Sequence, residues 1–237
     1  VGSLTNFLHR GAIEGMLVAG LPPERAVREE LERMEGPVVL VGQQWDGYDS
    51  FHWKEAVGAR KATAHLLEQG HQRIGMITTH HESPIRNARV RGYEEALAAR
   101  SIDPPAAWIT AGRTEKHAGF SEESGYEAMQ SLLRLDPPVT AVFASSDVQA
   151  IGAWKALREE GRAVPDDVAL VGYDDIKISR FLGLTSVSQK MHEVGARAIA
   201  LLQRRLQGTQ GSPPVSHLVE PELIPRRSST PSPHPTP

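Results

Sequence analysis

Short runs rich in Val, Ile and Ala recur along the chain with helix-length segments between them, and this alternation constrains the fold more than any other feature. Strands buried on both faces read as continuous apolar runs, and parallel neighbours need a long crossover between them. The runs fall at residues 15–19, 38–42, 74–78, 108–110, 141–145 and 169–173, with a further strand at 185–187. Helical spacing of apolar residues marks 24–34, 55–69, 88–100, 121–135, 147–161 and 191–207; Ala59, Ala62, Leu66 and Leu67 show it for the second. Gly70, Gly161 and Gly208 stand where a helix ends in a left-handed turn. The pattern predicts a doubly wound α/β fold.

Composition narrows the function. The 237 residues are 40% hydrophobic and 23% charged, an ordinary globular balance. The formal net charge is −3, so the chain shows no general cationic footprint for nucleic acid. Its densest basic run, Arg204-Arg205, falls on a helix expected at a subdomain surface. Any sequence-specific DNA contact is therefore expected elsewhere. With no cysteine, disulfides, thiolate zinc sites and thiol nucleophiles are excluded, and a reducing compartment fits. No apolar run approaches the roughly 18 residues of a membrane span. The start Val1-Gly-Ser-Leu-Thr-Asn lacks the pattern of an export signal. A soluble, cytoplasmic protein without membrane contact is expected. Leu4, Phe7, Leu8 and Ile13 suggest a helix feeding abruptly into the first strand, as though something precedes it. Residues 228–237 hold four prolines and are expected to be disordered.

Ligands of an open parallel sheet bind beyond the carboxyl ends of its strands. Those ends carry Gln43 and Gln44; Thr79, His80, His81 and Ser83; Ser146 and Asp147; and Asp174 and Asp175. Arg89 and Phe120 stand near helix starts at the same edge. Carboxylates and a guanidinium hydrogen-bond in pairs to ring hydroxyls or ring nitrogens, and Phe120 offers a stacking face, a set suited to a polyhydroxylated or heterocyclic small molecule. Plainer roles stand beside these. Ser146 and Asp147 are equally placed to cap a helix, Asp174 and Asp175 to make a turn, Arg89 to join Arg86, Arg91 and Arg100 on a solvated face, and Phe120 to fill the core. His80-His81 has no third ligand at useful spacing, so no metal is expected. No Gly-x-Gly-x-x-Gly, phosphate loop or Gly-x-Ser-x-Gly elbow is present. Binding, without catalytic residues or cofactor, is the simpler reading.

Five segments then resemble, in order, the LacI/GalR family of bacterial transcription regulators. Ala64 to Gly75 is similar to the family's HLxxxGHxxI, Arg89-Val90-Arg91-Gly92-Tyr93 with Ala96-Leu97 to RxxGFxxAL, and Gly119-Phe120 through Gly125-Tyr126 to GF…GY. Phe143 to Asp147 with Ala150-Ile151-Gly152 is similar to FxxNDxxAxG. Gly161 to Val168, running into Val171-Gly172-Tyr173-Asp174-Asp175 and Leu184-Thr185-Ser186-Val187, completes the set. The likeness covers about residues 4–230.

The resemblance implies a periplasmic-binding-protein-like core: two α/β subdomains, three crossovers and an effector cleft between them. It implies that a helix-turn-helix headpiece and the first strand, helix and second strand of the core have no counterpart here, leaving an incomplete N-terminal subdomain. DNA would then be a partner only through that absent headpiece. Residues 1–53 plus 189–208 would form one subdomain and 54–188 plus 212–227 the other, with crossings near Trp53, Ser188 and Gly208. Arg89 corresponds to the family's effector-clamping arginine, Phe120 to an aromatic stacking on the effector, and Asp174 to the cleft aspartate. Ser146 stands for the usual Asn beside Asp147. Lys54, with Glu55, replaces an Asp-Asn pair and implies an acidic or phosphorylated ligand, and Ser83 joins the effector contacts. A clamping arginine of this kind is expected to be dispensable for folding. Ile178, Phe181, Leu182 and Leu184 would be buried against a twin subunit in a homodimer. The expected function is an effector-sensing and dimerisation domain that binds a sugar or related metabolite. A substrate-binding protein of a sugar importer is the alternative, and a sugar-modifying enzyme a weaker third.

Overall fold

The computed structural model describes residues 13–20, 25–114, 116–208 and 212–230. The helix expected around Leu4, Phe7 and Leu8 lies outside these residues, as does 231–237. The chain divides into two compact units, residues 1–53 with 190–219 and residues 54–189 with 220–237.

The first unit has a four-stranded parallel sheet in the order β1-β2-β3-β9, formed by β1 (Met16–Ala19), β2 (Val38–Val41), β3 (Asp49–Trp53) and β9 (Ser216–Val219). Side chains alternate across it, as a period of two requires. Val39, Val41, Phe51 and Trp53 face Val194, Ala198 and Leu201 of α7 (Met191–Leu206). Val18, Val38 and Leu40 face Val27 and Leu31 of α1 (Arg25–Glu32) on the other side.

Two expectations are corrected in this unit. Residues 212–219 were placed in the other subdomain, with a crossing near Gly208; instead β9 pairs parallel with β3, and the chain passes between units at Val219 and Glu220. Arg205, expected on the surface, is the reason. Its guanidinium makes a buried bidentate pair with Asp49, Nε to Oδ2 and Nη2 to Oδ1, both 2.7 Å. It also donates to the carbonyls of Ser212 and Pro213, while Val215 N donates to Asp49 Oδ1. The segment before β9 is thus fastened to the start of β3.

The second unit has six strands in the order β10-β8-β7-β6-β4-β5. β4 (Ile74–Thr78), β5 (Ile109–Ala111), β6 (Ala141–Ala144), β7 (Ala169–Asp174) and β8 (Thr185–Ser188) run parallel; β10 (Glu222–Ile224) is antiparallel to β8. Apolar side chains of β4, β6 and β7 go alternately to two cores. Ile74, Met76, Phe143, Val171 and Tyr173 pack with α2 (Glu55–Glu68) and α3 (Pro84–Ala98). Ile77, Val142, Ala144 and Leu170 pack with α4 (Glu122–Leu133) and α5 (Asp147–Glu159). Strands buried on both faces explain the unbroken apolar runs of the sequence. α2 and α3 approach closely at Gly92, where a Cβ would stand 2.1 Å from Ala56 O.

The expected disorder from Ser228 onward is wrong for its first residues. Ser228 and Ser229 are fully buried. Ser228 Oγ donates to Leu170 O and accepts from Thr185 N. Ser229 Oγ lies 2.6 Å from Thr185 Oγ1 and 2.8 Å from His65 Nε2. Polar residues there fill hydrogen bonds inside the sheet layer rather than in solvent.

Candidate functional site

The chain leaves β4 for β5 on one side and returns to β6 on the other, so the topological switch of the second sheet lies between β4 and β6. Such a switch opens a crevice beyond the strands' carboxyl ends. Helices α3, α4 and α5 all start on this edge, each capped by a serine. Ser83 Oγ accepts from Arg86 N, Ser121 Oγ from Ser124 N and Ser146 Oγ from Gln149 N.

Arg89 lies in the second turn of α3, since Pro84 starts that helix earlier than periodicity suggested. It is 4% exposed. Its Nε donates to Glu55 Oε2 at 2.8 Å, Nη1 donates to the Ser145 carbonyl at the end of β6, and Nη2 stands 3.8 Å from Asp174 Oδ1. The guanidinium also covers the Tyr173 ring at 3.7 Å. Burial opposes its charge, but Glu55, Asp174 and Tyr173 outweigh burial and hold its pKa above the ordinary value. The expectation of a dispensable surface arginine is therefore corrected: this one is interior and paired.

Asp174 ends β7 with φ 103° and Asp175 follows at 51°, two consecutive non-glycine residues in the left-handed region. Such conformations cost about 1–3 kcal/mol each and persist only where neighbours impose them. Here Asp175 N donates to Ser186 Oγ, Asp175 Oδ1 accepts from Arg226 at 2.6 Å, and Ile176 N donates to Asp147 Oδ2. Burial pushes the Asp174 carboxyl up to about 7; Arg89 pulls it down, and Asp147 and Glu55 raise it further.

Asp147 is not on the rim. It is fully buried, accepting from Ser179 Oγ and Ser186 Oγ at 2.6 Å each besides Ile176 N. Burial raises its pKa, and these three donors act against that rise. A Cβ at position 172 would sit 2.1 Å from its Oδ1, so only glycine there admits the carboxylate. Ser146, also buried, caps α5, and Ser83 caps α3. Asp147, with both oxygens taken by protein donors, supports the site instead of facing a ligand. Lys54 is drawn to Glu220 at 3.5 Å, where Lys61 also binds at 2.8 Å.

Phe120 is half-buried and follows three residues of positive φ, His117, Ala118 and Gly119. Gln149 anchors this loop. Its amide nitrogen donates to Gly119 O and Thr78 O, and its amide oxygen accepts from Ser145 Oγ and Ser146 Oγ. The structure thus brings Arg89 and Asp174 together and ties the Phe120 loop to the ends of β4 and β6. Sequence reasoning missed Gln149, and it set Glu55 beside Lys54 without pairing it with Arg89. Glu55 lies 34 positions from Arg89 and looks like an ordinary first helical residue.

The residues expected at a twin interface divide. Ile178 and Phe181 of α6 (Lys177–Leu182) are exposed, Phe181 at 74%, and Leu182 is intermediate. Leu184 is fully buried in the core with Ile77 and Val142, so it faces no partner. Among the described residues no cluster of three or more His, Asp or Glu side chains could hold a metal ion, and no helix is long and apolar enough to cross a membrane.

An open α/β sheet with a guanidinium, a carboxylate and an aromatic loop beside its switch point has the architecture of a small-molecule-binding module. The family model for a periplasmic binding protein-like domain matches residues 63–229. The HTH-type transcriptional repressor CytR of Escherichia coli (strain K12) is 36% identical over 224 residues, covering 92% of this chain and 63% of that repressor. Among solved structures, the transcriptional regulator CelR in complex with cellobiose matches at TM-score 0.82 and 31% identity, over 96% of this chain and 69% of that one. A LacI family transcriptional regulator from Enterococcus faecium with bound ribose matches at TM-score 0.84 and 26% identity, over 98% and 85%. The chain belongs to the periplasmic-binding-protein-like domain family and, within it, to the LacI family of transcription regulators. It spans less than two thirds of the length of the curated repressors it matches.

Proposed function

We propose that this chain is the effector-sensing and dimerisation module of a transcription regulator, with a sugar or related polyhydroxylated metabolite as its effector. The observation that carries this reading is the approach of Arg89 to Asp174 at the β4–β6 switch point. A carboxylate accepts from two ring hydroxyls, the guanidinium N–H groups not engaged by Glu55 and Ser145 donate to others, and Phe120 packs on the C–H face of a ring. Similar regulators with bound cellobiose and bound ribose support the chemical class. The activity is binding, not catalysis, in keeping with relatives that are repressors. DNA is read by another part of the full-length regulator, since the chain's formal charge of −3 supplies no cationic footprint. Titration calorimetry against a panel of neutral mono- and disaccharides and nucleosides tests the proposal. One member is expected to bind saturably with one site per chain; rejection of the whole panel by folded protein contradicts it.

A further inference from the structure

We propose that Glu55 is the charge selector of this site: by holding the Nε edge of Arg89 it makes the site accept uncharged ligands and reject anions. The inference rests on the reading of Arg89 as a ligand contact.

A buried arginine at a ligand site ordinarily invites a carboxylate or phosphate, because its planar fork matches both. Here that fork meets protein first. Glu55 Oε2 takes the Nε hydrogen at 2.8 Å, and Asp174 Oδ1 stands 3.8 Å from Nη2. Both the Arg89 and Glu55 side chains are at most 10% exposed, so water does little to weaken their attraction. Gln189 Nε2 holds the other Glu55 oxygen at 3.3 Å, which fixes the carboxylate in place. The one cation thus already serves the Glu55 carboxylate and stands beside Asp174, and an anionic ligand would bring a further negative group to it. Uncompensated charge away from water is costly, whereas a hydroxyl needs only a hydrogen-bond partner. Lys54, next to Glu55 in the chain, and Lys61 are both directed at Glu220. Lys54, which the sequence associates with an acidic ligand, thus has an acidic partner within the protein itself.

The probe is inorganic phosphate, titrated by calorimetry into the wild type, Glu55→Gln and the double variant Glu55→Gln/Arg89→Gln at about pH 6, where the Asp174 carboxyl is largely protonated. Glu55→Gln is nearly isosteric and keeps a hydrogen-bonding oxygen toward Arg89. It is expected to bind phosphate at least about tenfold more tightly than the wild type, and the gain is expected to vanish in the double variant. A folded Glu55→Gln with no gain overturns the proposal. So does a wild type that itself binds phosphate with one site per chain, a result that needs no variant to fold. Neutral sugars titrated in parallel separate the two claims. A phosphate gain in Glu55→Gln with no sugar bound by the wild type upholds charge selection while the sugar reading falls; sugar binding without the gain does the reverse.

Discussion

Asp174 owes its position to other residues' bonds. Asp147, Ser186 and Arg226 hold the turn after β7, in which Asp174 and Asp175 take left-handed conformations they would not adopt unaided, and burial there raises the Asp174 carboxyl from 3.8 to about 7. An acid whose pKa is higher in the folded protein contributes stability fully below its unfolded value and loses it as pH rises through the folded one. Asp174→Asn lacks that loss. Since the Asp174 side chain is 30% exposed, the full linkage is discounted, and the variant is expected to be more stable than wild type at about pH 8 by on the order of 1–2 kcal/mol. The difference should shrink toward about pH 4 in urea denaturation, while sugar affinity falls. Lower stability at both pH values would mean that the carboxylate is structural. At this scale the sequence was partly legible: following the strand ends singled out Arg89, Asp174 and Phe120. It misjudged Asp147, because a Ser-Ser-Asp after a strand reads the same whether the aspartate points out or into a space left by a glycine 25 positions later. It missed the pairing of Glu55 with Arg89, because an ion pair across two helices leaves no local pattern.

Among the elements, α6 presents the clearest unpartnered surface. Ile178 and Phe181 lie one turn apart and exposed on a six-residue helix, while Leu184 beyond it turns into the core. In the proposed dimer this helix meets its twin, and a charge placed there is desolvated without a partner. Phe181→Asp is expected to sediment as a monomer with unchanged circular dichroism; a dimer of undiminished stability would move the interface elsewhere. Strands with continuous apolar runs were legible, whereas β3 and β9 were not. Asp49-Ser-Phe-His-Trp and Ser216-His-Leu-Val each open with two polar residues in place of an apolar run, and the first begins with the partner of a distant arginine. The third crossing was misplaced for that reason: nothing near Gly208 in the sequence announces that Arg205 and Asp49 carry the chain back to the first sheet.

As a whole, the chain consists of two units with separate cores, and every residue proposed to meet the effector belongs to the second. Family membership was legible because its motifs sit at helix starts and strand ends that the fold cannot vary freely. Two further motif positions, Gly92 inside α3 and Gly172 inside β7, each stand where a Cβ would collide with a neighbour. In the proposed function Arg89 makes a geometry-dependent contact with a sugar-like effector. Its removal would strand Glu55 in the interior and cost about 3–5 kcal/mol, confusing folding with binding. Arg89→Lys keeps the charge beside Glu55 but loses the planar fork. Titration calorimetry of this variant and the wild type with the bound member of the neutral panel is the most direct test. Arg89→Lys is expected to show the same far-UV circular dichroism and an affinity about tenfold or more weaker; an equal affinity in the two proteins would remove Arg89 from the effector contacts.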